Sequence, residues 1–207
     1  MFDTAVETID LENSARLLDE LKDSLDGPAL DPIETVVTTT QIPFYPEYDL
    51  LEIKSKDNYP ASARYVVRKQ SDFHVLDYTN TPIYRLNQIA PIKLLGVNVA
   101  DYIRFFLRFV KSKHGFFYVV QSVDDIKWKD EPPTQARKAI GDMILPITLN
   151  NIGKGDDDGT FYCTFHSIFQ NCLFKNDAII DPKGFVTINN EELLIEDMPV
   201  YDDILGQ

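Results

Sequence analysis

His166 sits where a side chain could do chemistry. From Thr160 to Phe169 the residues alternate, with Phe161, Cys163, Phe165, Ser167 and Phe169 on one face and Tyr162, Thr164, His166 and Ile168 on the other. The aromatic face belongs against a core. That leaves His166 beside two hydroxyl-bearing neighbours on a face that meets either solvent or a groove. An imidazole in such company can act as a general base or hold a polar ligand, and the plainer reading is a surface histidine on a mixed strand. His74 alternates with Asp72 and could pair with it, while His114 suits the C-terminal end of a helix. No two of the three histidines have metal-ligand spacing, so no metal site is expected.

Other chemistry-bearing residues point to less. Asp156-Asp157-Asp158-Gly159 invites a calcium reading, yet the acids are contiguous and no closing acid follows at the twelfth position of an EF-hand loop. The pairs Asp124-Asp125 and Asp202-Asp203 are sequence neighbours, which on a strand face opposite ways and cannot flank one bond. Cys163 lies on the apolar face without a nearby base, as a buried thiol would. Phosphate loops, nucleophile elbows, Cys-x-x-Cys and His-Glu-x-x-His motifs are absent from the sequence, so no cofactor is expected.

Positioning elements are better marked than chemistry. Asn98–Gly115 reads as one long helix over 98–113, with Asn98 as N-cap, Asp101 in the first turn, Lys111, Lys113 and His114 in the last, and Gly115 beyond it. Its apolar residues from Tyr102 to Val110 cover roughly 200° of surface, about twice what a flat sheet conceals. A curved sheet gripping the helix would conceal it all. Arg104, Arg108 and Lys111 form the remaining basic strip, available to an acidic partner surface or simply solvated. A hollow between helix and sheet would be lined by aromatics including Tyr102 and Tyr118, with His166, Tyr162 and Asp77 as polar members.

Along the chain, residues 1–32 form an N-terminal arm carrying an amphipathic helix over 10–25, with Asp10 as cap and Leu11, Ala15, Leu18, Leu21 and Leu25 on one side. That helix either docks on its own domain or inserts Leu18 and Leu21 into a partner's groove. Residues 33–60 hold three prolines and read as a connector with short extended pieces at Val36–Thr40 and Leu50–Lys54. The folded body spans 61–200 and an acidic tail 201–207. Within the body, Arg64–Lys69, Phe73–Tyr78 and Ile83–Leu86 read as strands before the long helix. After it come strands at Phe116–Ser122, Met143–Leu149, Thr160–Phe174 (bent near Gln170-Asn171), Ala178–Ile180, Phe185–Ile188 and Glu192–Glu196, with a helical turn at Thr134–Gly141.

This order predicts an α+β fold in which a strongly curved antiparallel sheet wraps one long helix. Over roughly residues 61–196 it resembles cystatin-like and NTF2-like rolls, with a PAS-like sheet as the alternative. The likeness rests on element order and carries no function.

Net charge is −13, divided unevenly: −10 over residues 1–60, +6 over 61–141 and −9 over 142–207. Duplex nucleic acid is a poor partner for such a field. No apolar run is long enough for a membrane span. Met1-Phe2-Asp3-Thr4 lacks the basic start of a secretory signal, and two cysteines in 207 residues do not make a disulfide framework, so a cytoplasmic protein is expected. Two functions remain: a non-catalytic binding or adaptor module acting on a protein partner or by self-association, and a small-molecule binder or enzyme using a hollow beneath the helix for a small apolar ligand.

Overall fold

The computed structural model describes residues 2, 4–55, 63–90, 92–150 and 159–201. They form an α+β fold of two antiparallel sheets and four α-helices. Sheet 1 has the sequential order β1 (Val6–Thr8), β2 (Thr35–Gln41), β3 (Asp49–Ser55), β4 (Ala63–Lys69) and β5 (Asp72–Leu76). Sheet 2 runs β10 (Val186–Ile195), β9 (Cys172–Ile180), β8 (Phe161–Phe169) and β6 (Tyr118–Val120), with β7 (Thr148–Asn150) on the same side of β8 as β6.

Between the sheets lies α3 (Val99–Phe109), seven of whose residues are buried. Its cluster joins Leu50, Tyr65 and Val67 of sheet 1 to Cys163, Phe165, Ala178 and Ile180 of sheet 2. The wide apolar arc is therefore covered from two directions by two sheets, neither strongly curled. This corrects the expected single curved sheet, and with it the cystatin-like, NTF2-like and PAS-like orders. A helix needs apolar residues all round wherever both sides are covered, whatever covers them.

The helix is shorter than its pattern. Lys111 donates its backbone N–H to the Tyr78 carbonyl at 2.8 Å, and Ser112 pairs with Gly115 in an isolated bridge, so the chain turns extended at Val110. Lys111, Lys113, His114 and Gly115 lie past the helix end instead of forming it. Asn98 makes no side-chain cap; its amide instead accepts from Leu95 N and donates to the Lys93 carbonyl, bracing the loop before the helix.

Ile83–Leu86, expected as a strand, lies within helix α2 (Thr81–Ile89). Pro82 in its first turn loses nothing, since that N–H has no intrahelical partner, and Ile83, Leu86 and Asn87 recur at helical spacing on the buried face. Met143 ends helix α4 (Thr134–Met143), so of the expected 143–149 strand only Thr148 and Leu149 are extended, within β7. Thr160–Phe174 is two strands, β8 and β9, joined at Gln170-Asn171 with φ of 47° and 56°. Positive φ at both central residues gives the two-residue turn whose twist suits a hairpin.

Residues of the expected connector supply β2 and β3, each paired along both edges within sheet 1. Helix α1 (Leu11–Leu21), capped by Asp10, packs Leu17, Leu18 and Leu21 on the other face of that sheet against Val37, Leu51, Ile53 and Val66. A third cluster, with Val120, Ile126, Ile168 and Leu173, covers the outer face of sheet 2. The layers thus run α1, sheet 1, α3 with α2, sheet 2. Among the described residues no helix is long and apolar enough to cross a membrane.

Candidate functional site

The register of sheet 1 builds the site. Thr38, Glu52 and Tyr65 are successive Cα partners across β2, β3 and β4, so their side chains share the face toward α3. Alternation puts Leu51 and Ile53 against α1 and leaves Glu52 on this inner side. Tyr65 donates its hydroxyl hydrogen to Glu52 Oε1 at 2.7 Å, and Arg108 of α3 donates from Nη2 to the Tyr65 oxygen at 3.1 Å. The Arg108 guanidinium also lies 5.7 Å from the Tyr65 ring centre and 6.0 Å from that of Phe109.

Above this row opens a cleft of about 470 Å³ between sheet 1, the basic strip of α3 and the segment from β6 to Asp125. Phe2, Val6, Leu50, Phe117 and Val119 give it apolar walls. Arg104 and Arg108 line it one turn apart on α3, together with Thr40, Tyr118 and Gln121. Asp125 closes one end, its carboxylate accepting the Gln121 and Ser122 amides at 2.8 and 2.9 Å and capping the 3-10 turn Val123–Asp125. Arg104 pairs with Asp101 at 3.3 Å, and Glu52 with Lys54 at 2.9 Å.

Three phenols sense Arg108. Burial pushes Tyr65 up to about 12, with Arg108 pulling down and Glu52 adding to the rise. Tyr78 and Tyr118 are likewise raised by burial and opposed by Arg108, Tyr118 being raised further by Asp125. All three stay protonated at neutral pH. They can donate or accept hydrogen bonds, and they do not neutralise the guanidinium.

Of the residues expected to bind, Tyr118 lines this cleft, and Arg104 and Arg108 of the expected partner strip join it. Lys111 lies apart, its ammonium 5.4 Å from the Phe116 ring centre. Leu18 and Leu21 are buried against sheet 1. Tyr102 is wholly buried, donating to the Gly184 carbonyl and accepting from Asn87 Nδ2. Asp77 accepts the amide and hydroxyl of Thr79, organising the turn into α2. Tyr162 is half exposed on β8. Asp156–Asp158 and Asp202-Asp203 lie outside the described residues.

His166 is only 3% exposed. Its Nδ1 lies 3.4 Å from Leu145 N and 3.3 Å from Leu145 O, beneath the segment joining α4 to β7. A separate groove of about 310 Å³ passes over it, edged by Thr164, Lys175 and Glu192. Burial disfavours the charged ring and lowers its pKa from 6.5; Lys175 lowers it further, while the Leu145 contact and Glu192 oppose. The folded state therefore binds fewer protons than the unfolded chain as pH drops through the unfolded histidine range. Stability contributed by neutral His166 is complete above pH about 6.5 and is lost as pH falls from there through the folded value. The C2 proton of His166 followed by NMR is expected to titrate below 6.5, and a midpoint at or above 6.5 would refute the assignment.

Sequence reasoning missed Glu52, Tyr65, Thr38, Thr40 and the apolar wall of Phe2 and Val6. The signal was present in Leu50-Leu-Glu-Ile-Lys54, where Glu52 and Lys54 alternate with buried Leu51 and Ile53.

Fold and site together define an α+β protein with two antiparallel sheets clasping a helix, and an open cleft beside it that mixes arginines, phenols and apolar walls. Compared with protein-family models, curated proteins and solved structures, the chain matches none.

Proposed function

We propose that this protein is a small-molecule-binding module whose ligand occupies the cleft between the sheets, with no chemical conversion. The observation that carries this reading is the convergence of Arg104, Arg108, Tyr65 and Tyr118 on one cleft of about 470 Å³ with an apolar wall. Binding pockets combine that size range with a few placed polar groups on a mainly apolar surface. The cleft proposed here is a different place from the hollow expected beneath the helix, and Leu17, Leu18 and Leu21 of the N-terminal helix, which an adaptor would insert into a partner, pack on sheet 1. The two unpaired cysteines favour a reducing compartment such as the cytoplasm.

Thr40 provides the test, because it lines the cleft from β2 beside its cross-strand partner Leu50, so a large side chain there fills the space a ligand would take. A compound library containing acids, bases and neutral molecules is screened against the full chain by thermal shift, with Thr40→Trp in parallel. Compounds that raise Tm in the native chain and lose that effect in Thr40→Trp are expected. A library in which no stabilising compound distinguishes the two proteins sinks the reading.

A further inference from the structure

Within the cleft the charges do not all have partners of opposite sign. Arg104 is matched by Asp101 at 3.3 Å, and Glu52 by Lys54 at 2.9 Å with the Tyr65 hydroxyl also donating to it. Asp125 has its charge spread over two backbone amides of its own turn. Arg108 differs from all of these. Among the described residues no carboxylate lies within ion-pair reach of it, and its one hydrogen-bonded partner, Tyr65, is a phenol kept neutral by burial. A guanidinium carries five N–H donors in a planar fork, and Tyr65 takes one.

We infer that Arg108 is the anchor for the anionic head of an organic acid whose apolar body lies along Leu50, Phe117 and Val119. The inference rests on the cleft reading above and adds the class of ligand. Arg108 is held for this task from two sides. Tyr65 fixes one Nη from sheet 1, and the Tyr65 and Phe109 rings flank the guanidinium, so little side-chain freedom remains to be lost when an acid binds. The fork matches the geometry of a carboxylate, and the same match would serve a sulfonate or a phosphate ester. Glu52 stands behind Tyr65 and fixes which way the hydroxyl hydrogen points, leaving the phenol oxygen to accept from Arg108. The apolar wall supplies the rest of the selectivity, since an inorganic anion gains nothing from Leu50, Phe117 and Val119.

The test uses three probes with the same eight-carbon body: octanoate, octanol and octylamine, measured by calorimetry on the full chain at neutral pH. Octanoate is expected to bind tightest, ahead of octanol by about tenfold or more, with octylamine weakest, because a charge-assisted hydrogen bond is worth about that much. Arg108→Met is expected to erase the difference between octanoate and octanol while leaving octanol affinity within about twofold. Arg108→Lys is expected to fall between, keeping the charge without the fork. Octanoate binding no better than octanol, or Arg108→Met keeping the acid preference, overturns the anchor assignment. The cleft reading then still stands or falls on Thr40→Trp. The ranking of the three probes on the native chain decides the matter even if Arg108→Met fails to fold.

Discussion

Replacing Gly184 with alanine is expected to destabilise the protein by about 3–5 kcal/mol, far beyond an ordinary turn substitution. Gly184 closes the Asp181–Gly184 turn between β9 and β10 at φ +77°, where an L side chain is strained by about 1–2 kcal/mol. The larger part comes from what the new methyl meets. It would stand 2.5 Å from Asn87 Nδ2 and 2.7 Å from the Tyr102 hydroxyl. Those atoms form a buried node. Tyr45 donates to Asn87 Oδ1, Asn87 donates to Tyr102 at 3.1 Å and to the Lys183 carbonyl at 2.9 Å, and Tyr102 donates to Gly184 itself. Burial raises the Tyr45 and Tyr102 phenols, so both remain protonated donors. Neither side chain can withdraw without stranding a polar group inside the core, at about 1–3 kcal/mol each. Gly115 supplies the control: at φ +144° it is strained too, but an added methyl meets only the edge of Phe169 at 3.6 Å. Denaturant unfolding of the two variants separates strain from collision. Equal losses in Gly184→Ala and Gly115→Ala would remove the node from the account.

That node also marks what local pattern can and cannot convey. The 3.6-residue period of Tyr102–Phe109 announced a helix covered nearly all round, because burial on each side leaves its own record in side-chain type. It could not announce how many sheets do the covering. One curved sheet and two flat ones demand the same apolar arc. Strands β2 to β5 of sheet 1 were legible as the extended pieces Val36–Thr40 and Leu50–Lys54 and the strands Arg64–Lys69 and Phe73–Tyr78. Their pairing into one sheet was not, since three prolines interrupt the stretch and threonine on both faces of Thr35-Val-Val-Thr-Thr-Thr-Gln41 blurs the alternation of β2. The Gln170-Asn171 turn was obscure for a related reason. Both residues adopt positive φ without a glycine to advertise it.

The site divides along the same line. Arg104 and Arg108 were visible as neighbours on a helix because i and i+4 is a local relation. Glu52 and Tyr65 face each other through strand register, a relation between segments that no single window contains. His166 shows the intermediate case. Alternation correctly set it opposite Cys163 and Phe165, and only the distant α4–β7 segment determined that its own face would be covered. An aromatic hollow under the helix was anticipated with Tyr102 in its lining. The α2 helix, unrecognised behind Pro82, fills that space with Leu86 and Asn87 instead, so the cleft opens on the opposite side of α3, where the two arginines are.

Phe105→Ala puts the clasp of α3 between the sheets to its most direct test. Phe105 is fully buried at mid-helix and is ringed by Phe44, Tyr45 and Phe109, with centroids at 5.3, 6.3 and 5.0 Å, and by Phe2 at 6.2 Å. Truncation removes the aromatic contacts and opens a void that four large side chains cannot refill without leaving their own rotamers. A loss of about 3–5 kcal/mol is expected. For a chain of this length each kcal/mol lowers Tm by about 2–4 °C, so a drop of about 6–20 °C should appear by calorimetry. Phe185, 42% exposed beside Tyr84, is the reference and should lose about 1 kcal/mol or less on the same truncation. Phe105→Leu should recover more than half the loss by refilling the void. If Phe105→Ala is as mild as Phe185→Ala, the helix is not the wedge that holds the two sheets in place. The arginines it carries would then have no rigid mount from which to form a site.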